Sequence, residues 1–131
     1  MSQIDSLSAN EFEVQLNGEK VDGVFRVSGL TPLRSDSATH PFQLSKMVQR
    51  DPALPFNVWL RETLAAKGAA AHPTRTLTII ALDEGVESRR WTVTGAWISE
   101  IRYSEFNSAS SELVEECAII HYGDMQMTWT S

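Results

Sequence analysis

With 131 residues, 42% of them hydrophobic and 21% charged, the chain has the length and composition of one globular domain with a buried core, which excludes the low-hydrophobicity regime of disordered chains. Eleven basic residues against 17 acidic ones give a formal charge of −6, the wrong sign for a surface that neutralises phosphates, so a nucleic-acid-gripping role is excluded. A single cysteine, Cys117, rules out an internal disulfide. No run approaches the roughly 20 apolar residues of a membrane span, so membrane insertion is not expected. Residues 1–10 carry no basic and apolar leader pattern and read as a flexible lead-in to a single domain over 1–131.

Glu11 to Leu16 alternates, with Phe12, Val14 and Leu16 on one face and Glu11, Glu13 and Gln15 on the other, the pattern of a half-buried strand. Asn17-Gly18 supplies the positive φ angles of a tight turn, and Val21 to Val27 is expected to return as the second strand of a hairpin, bulged at Gly23. Thr31 to Thr39 is a loop by its turn chemistry, and Phe42 to Val48 is a third strand. Asp51-Pro52 reads as a helix start, an acceptor side chain followed by a proline whose missing N–H is harmless in the first turn. Phe56, Trp59, Leu60, Thr63 and Leu64 share a face at helical spacing, so Ala53 to Lys67 is the one substantial helix expected, stopped at Gly68.

Ala69 to Thr74 connects to Thr76 to Leu82, apolar and β-branched on both faces as in a strand covered on each side. Asp83-Glu84-Gly85 turns the chain into a strand from Arg90 to Ile98 that carries Trp91, Val93 and Trp97 on one face. A separate strand from Glu100 to Phe106, a polar loop from Asn107 to Ser111, and strands at Leu113 to Tyr122 and Met125 to Trp129 bring the count to about seven or eight. The expected fold is mainly β: a small barrel or sandwich of two packed antiparallel sheets with one flanking helix. Its expected core holds Phe12, Val14, Leu16, Phe56, Trp59, Leu60, Leu64, Ile79, Trp91, Val93, Trp97 and Ile119.

No catalytic constellation accompanies this fold. His40, His72 and His121 lie apart, without the spacing of metal ligands. Val27-Ser28-Gly29 lacks the flanking glycine of a nucleophile elbow, and no glycines cluster between a strand and a helix to cradle phosphate. Glu115 and Glu116 are neighbours on a strand, so they point to opposite faces and do not form an acid and base pair; both are expected at solvent. Cys117 reads as a small core hydrophobe, and Trp59, Trp91, Trp97 and Trp129 as core packing. No cofactor, metal or enzymatic activity is expected.

Phe25-Arg26-Val27-Ser28-Gly29-Leu30 stands after the first turn, Val58-Trp59-Leu60-Arg61-Glu62 in the helix, and the Leu82-Asp83-Glu84-Gly85 turn is followed by Arg90 to Trp97 ending in Gly-Ala-Trp. In this order, the elements and local sequences resemble the tail tube family of contractile phages and phage-derived extracellular injection systems. A serine-rich loop before a strand in which glutamates precede an apolar run, Asn107 to Tyr122, completes the resemblance, so that it covers roughly Asn10 to Tyr122. The family's long hairpin after the Ser-Gly-Leu element is replaced here by the shorter Thr31 to Pro41. The resemblance implies a structural subunit whose sheet edges join into hexameric rings, stacked into the inner tube through which DNA or effector proteins pass, with sheath and baseplate proteins as partners. It also implies assembly in the bacterial cytoplasm, as part of a virion tail or of a released particle.

Two polar loops next to strands are the candidate inter-subunit contacts: Leu33, Arg34, Ser35 and Asp36 in the first, and Asn107, Ser108 and Ser110 in the second, with Glu115 beside it. In a tube, one of Glu115 and Glu116 would line the lumen or meet a neighbouring subunit. A baseplate tube initiator and the type VI secretion tube protein share the implied fold. A ligand-binding β-barrel with a tryptophan-lined cavity is the alternative from another class, and it predicts a monomer.

Overall fold

The computed structural model describes residues 6–130. The elements run β1 (Phe12–Leu16), β2 (Glu19–Lys20), β3 (Val24–Ser28), β4 (Phe42–Met47), α1 (Pro55–Ala65), β5 (Arg75–Asp83), β6 (Val86–Tyr103), β7 (Glu115–His121) and β8 (Asp124–Trp129). Ser6 to Asn10 is exposed and outside any strand or helix, and the rest of the expected lead-in lies outside the described residues. All pairings are antiparallel.

The fold is mainly β with one helix among the described residues. Its two halves are not separate sheets: the strands form one eight-stranded sheet, ordered β2-β1-β5-β6-β7-β4-β3 with β8 also on β6, and it does not close into a barrel. The reason lies in β6. Arg90 to Ile98 and Glu100 to Phe106, expected as two strands, belong to one strand of 18 residues that ends at Tyr103. Its first part pairs with β5 and β8 and its last part with β7, so one strand serves both halves.

Two extra residues in β6 decide which side chains reach the core. Val93 lies opposite Leu77 but Ala96 opposite Arg75, and Ile98 lies opposite Ile120 but Glu100 opposite Ile119, so β6 gains a residue on its partner at each place. An extra residue turns over every side chain after it. The inward series is therefore Trp91 and Val93, then Ala96 and Ile98, then Ile101. Trp97, expected inward with Trp91, is put on the other face. Gly95 makes the first irregularity possible, with φ at 65° and with a Cβ there only 3.3 Å from the Gly123 nitrogen. Gly95→Ala is expected to destabilise the chain by about 1–2 kcal/mol, read as a lowered urea midpoint at unchanged slope; an unchanged midpoint would refute this account of the bulge.

The expected first hairpin is also altered. Asn17 (φ 49°) and Gly18 (φ 87°) make the predicted tight turn, but only β2 returns along β1. At Gly23 (φ 85°) the chain leaves for the opposite edge, where the Met47 N–H donates to the Gly23 carbonyl at 3.0 Å and β3 pairs with β4. The bulge of this strand lies between Val24 and Arg26 and not at Gly23.

The helix starts later than Asp51-Pro52 suggests. Pro55 occupies the first turn behind Leu54, which has no capping side chain. Asp51 instead orders the preceding turn, accepting the Ala53 N–H at 2.9 Å, while Asn57 Nδ2 donates to the Gln49 and Asp51 carbonyls, both at 2.9 Å. Phe56, Trp59 and Leu60 enter the core with Val14, Leu16, Ile79 and Val93. Phe12 and Trp91 are half-buried against it. Three residues expected in the core are not there. Leu64 is 57% exposed because the helix ends at Ala65, past the cover of the sheet. Trp97 is half-buried outside the core cluster for the reason given above, and Ile119 is half-buried because its neighbours Ala118 and Ile120 take the inward face of β7.

On β5, Leu77 and Ile79 face the core while Thr78 and Ile80 are buried on the opposite face. Register sets Ile80 between Glu13 and Arg90, and Thr78 between Gln15 and Thr92. Long polar side chains cover apolar surface with their stems, so this second face is closed without a second core.

Candidate assembly surface

No group of three or more His, Cys, Asp or Glu side chains able to hold a metal exists among the described residues. His72 and His121 do come together, stacked on the two sides of Trp97 with ring centroids 3.9 Å and 4.7 Å from it. Sequence spacing gave no sign of this sandwich, because it depends on the inversion of β6 that carries Trp97 to the outside. Cys117, expected in the core, is half-buried on the outer face of β7 beside Gln43. Trp91 and Trp97 lie on opposite faces and share no pocket.

Glu115 and Glu116 point to opposite faces, as adjacent strand residues must, but they are not both at solvent. Glu115 is exposed, whereas Glu116 is only 2% exposed and accepts from Lys46 Nζ at 3.0 Å; Lys46 itself is fully buried. Register brings them together, since Lys46 on β4 and Tyr103 on β6 both lie opposite Glu116. The ammonium also donates to the Met47 carbonyl at 2.8 Å and lies 4.9 Å from the centre of the Phe56 ring. A buried charge pair is tolerated only when each member has partners, and among the described residues none of the buried side-chain nitrogens or oxygens lacks one. Burial holds the Tyr103 hydroxyl above its ordinary pKa, and the neighbouring Glu116 adds to the shift.

Among the described residues three strands have a single strand partner, and the last part of β6, Ile98 to Tyr103, pairs with β7 alone. β8 pairs only with β6, β3 only with β4, and β2 only with β1. Unpaired edges of this kind invite another chain. At the hairpin end of the β5–β6 pair, Val86 is 68% and Trp129 67% exposed, and the Arg89 guanidinium lies 4.5 Å from the Trp129 ring centre. Arg90 grips Glu87 at 2.7 Å and Thr130 donates to the same carboxylate, which holds the Glu87 pKa down at about 2.

The two candidate loops are exposed and lie at opposite ends of the β4–β7 pair: 29–41 precedes Phe42, which faces Ile120, and 104–114 precedes Glu115, which faces Met47. Each is ordered by its own side chains. Arg34 grips Asp36 at 3.1 Å and 3.0 Å while Asp36 accepts the Ala38 N–H, and Asn107 and Ser110 accept the N–H groups of Ala109 and Glu112. Ser35 and Ser108 are exposed in the same loops. Large apolar side chains stand out from both: Leu33 is 85% exposed, Phe106 82% and Leu113 71%. No helix among the described residues is long and apolar enough to cross a membrane.

A family model described as the T4-like virus tail tube protein gp19 matches residues 33–126. No curated protein sequence matches the chain. Among solved structures, a chain of an extracellular contractile injection system, the PVC sheath-tube complex in its extended state, superposes with a TM-score of 0.78 at 14% identity, covering 96% of this chain and 93% of that one. A chain of the anti-feeding prophage tube-terminating cap gives 0.78 at 15% identity over 99% and 95%. A chain of the six-fold symmetrised baseplate of the same prophage gives 0.70 at 14% identity over 98% of both.

Proposed function

Because the chain belongs to the T4-like virus tail tube protein family, a structural and not a catalytic family, we propose that it is a single-domain subunit that joins edge to edge into hexameric rings, which stack into the inner tube of a contractile tail or injection particle. The observation that carries this reading beyond the family is the placement of the free edges. β8 closes one side of the half-sheet that runs β2-β1-β5-β6-β8, and β1 with the two-residue β2 closes the other. Two different edges on one sheet make a head-to-tail contact, and such contacts generate rings when the rotation closes.

In a ring built this way the core-bearing face of the half-sheet must look outward, because the helix and the β3–β4–β7 half stand on it. The opposite face then lines the hole. It carries Gln15, Thr78, Thr92 and Gln126 in one row and Glu13, Ile80, Arg90 and Thr128 in the next; with Ile80 and Thr78 buried between their neighbours, the lining is of mixed charge with hydroxyls and amides. Such a wall neither binds nor strongly repels a polyanion or a protein, which suits a conduit for DNA or effector passage. Sheath and baseplate proteins are the expected outer partners, since the similar folds occur in sheath-tube and baseplate complexes.

Negative-stain electron microscopy across a concentration series, with mass by light scattering and hydrogen exchange on the same samples, tests the reading. Six-subunit rings or hollow tubes are expected, with the amides of β8 and of β1–β2 gaining protection on assembly. A monomer at every concentration would sink the ring reading, and rings without added protection at those edges would sink the edge-to-edge geometry.

A further inference from the structure

Exposed apolar side chains at opposite ends of one strand pair carry a further step, which rests on the ring-and-tube reading. We propose that rings stack by a knob-and-socket contact between copies: Leu33 of one subunit enters the cleft between Phe106 and Leu113 of a subunit in the next ring.

The socket is an open cleft of about 200 Å3 in the 104–114 loop, lined by Phe106, Leu113 and Val114 together with Glu105 and Glu112. Phe106, Leu113 and Val114 form its apolar part, while Ser104, Asn107 and Ser110 with the two glutamates make the rest of the lining polar and acidic. The knob is the most exposed large apolar side chain described, Leu33, and the next residue is Arg34, whose charge is opposite to that of the two glutamates. A single exposed leucine is ordinary on a protein surface. What selects this one is that its complement stands at the other end of the same β4–β7 pair, so a subunit offers a knob in one direction and a socket in the other. A contact of that polarity repeats without limit, which is the requirement for a filament of stacked rings.

Both loops are ordered before contact. The Arg34 and Asp36 clamp holds the knob, and the Asn107 and Ser110 turns hold the socket, so little conformational freedom is lost on docking. The cleft under the 31–39 loop is itself lined by Tyr122, Gly123 and Asp124, and the Tyr122 hydroxyl donates to the Thr31 carbonyl at 3.4 Å, which ties the base of the knob to the end of β7.

The test uses a chain with Cys117→Ser, Leu33→Cys and Leu113→Cys, assembled, mildly oxidised and run on a non-reducing gel. A ladder of linked subunits that needs both new cysteines and appears only in tubes supports the proposal. Tubes that form without a ladder overturn the pairing while the ring reading stands, and so does a ladder from Leu33→Cys alone. Absence of rings from the unaltered chain overturns both readings together. A second series does not depend on cysteine: Leu33→Asp is expected to leave ring mass unchanged and to raise the concentration needed for tubes by about tenfold to a hundredfold, the range one buried leucine supports. Glu105→Lys and Glu112→Lys, which leave the Arg34 and Asp36 clamp intact, should each weaken stacking at unchanged ring mass. Stacking unchanged in both counts against the contact.

Discussion

Lys46→Met, with Glu116 left in place, is expected to destabilise the chain by about 3–5 kcal/mol, and Glu116→Leu alone by a similar amount. Each change strands an ion that is almost wholly removed from water: Lys46 is fully buried and Glu116 is 2% exposed. The double variant Lys46→Met with Glu116→Leu should recover most of the loss, because the desolvation of both charges then disappears along with their attraction. Denaturant melts of the two single variants and the double one give the coupling energy directly. Single variants that cost less than about 1 kcal/mol would mean that water reaches the pair, in the range of surface ion pairs. A double variant as unstable as the singles would show instead that the pair is needed to hold the register of β4 on β7.

Trp59→Ala is expected to cost about 3–5 kcal/mol, the range for emptying a large aromatic site in a close-packed core. The side chain is fully buried, meets Phe56 edge-on with ring centres 6.0 Å apart, and donates from Nε1 to the Pro73 carbonyl at 3.0 Å. It therefore joins three parts of the chain: the helix, the core of the sheet and the 66–74 connector. Trp59→Phe keeps most of the packing and loses the hydrogen bond, so about 1–2 kcal/mol is expected. Thermal or urea unfolding with far-ultraviolet dichroism reads both. Equal losses from the two variants would mean that the hydrogen bond, and not the packing, dominates, and little loss from either would remove Trp59 as the anchor of the helix.

Much of this architecture is legible in local sequence because its causes are local. Alternation at Phe12, Val14 and Leu16 declares a strand, Asn17-Gly18 and Glu84-Gly85 declare turns that need positive φ, and the spacing of Phe56, Trp59 and Leu60 declares a helical face. These signals need nothing beyond the next few residues. The errors share a cause of the opposite kind. Whether Val21 to Val27 returns along β1 or crosses to β4 depends on which distant edge has free hydrogen-bonding groups. The inward series of β6 depends on extra residues that are visible only against the partner strands, so Trp97 and the His72–Trp97–His121 sandwich were out of reach. The candidate loops could be found by composition, but their positions at opposite ends of β4 and β7 could not.

The sequence by itself determined the element types, the mainly β class, most of the core side chains and the family resemblance, since each of these follows from period, turn chemistry and short local motifs. The tertiary structure alone decided that one 18-residue strand joins both halves of a single open sheet, that Glu116 is buried on Lys46, and that free edges and exposed apolar tips are distributed for assembly. Those features are set by pairings between residues far apart in sequence, such as Lys46 with Glu116 and Phe42 with Ile120. A strand carries no local mark of its partner, its register or its bulges, because all three are chosen by the hydrogen bonds and burial that distant segments supply.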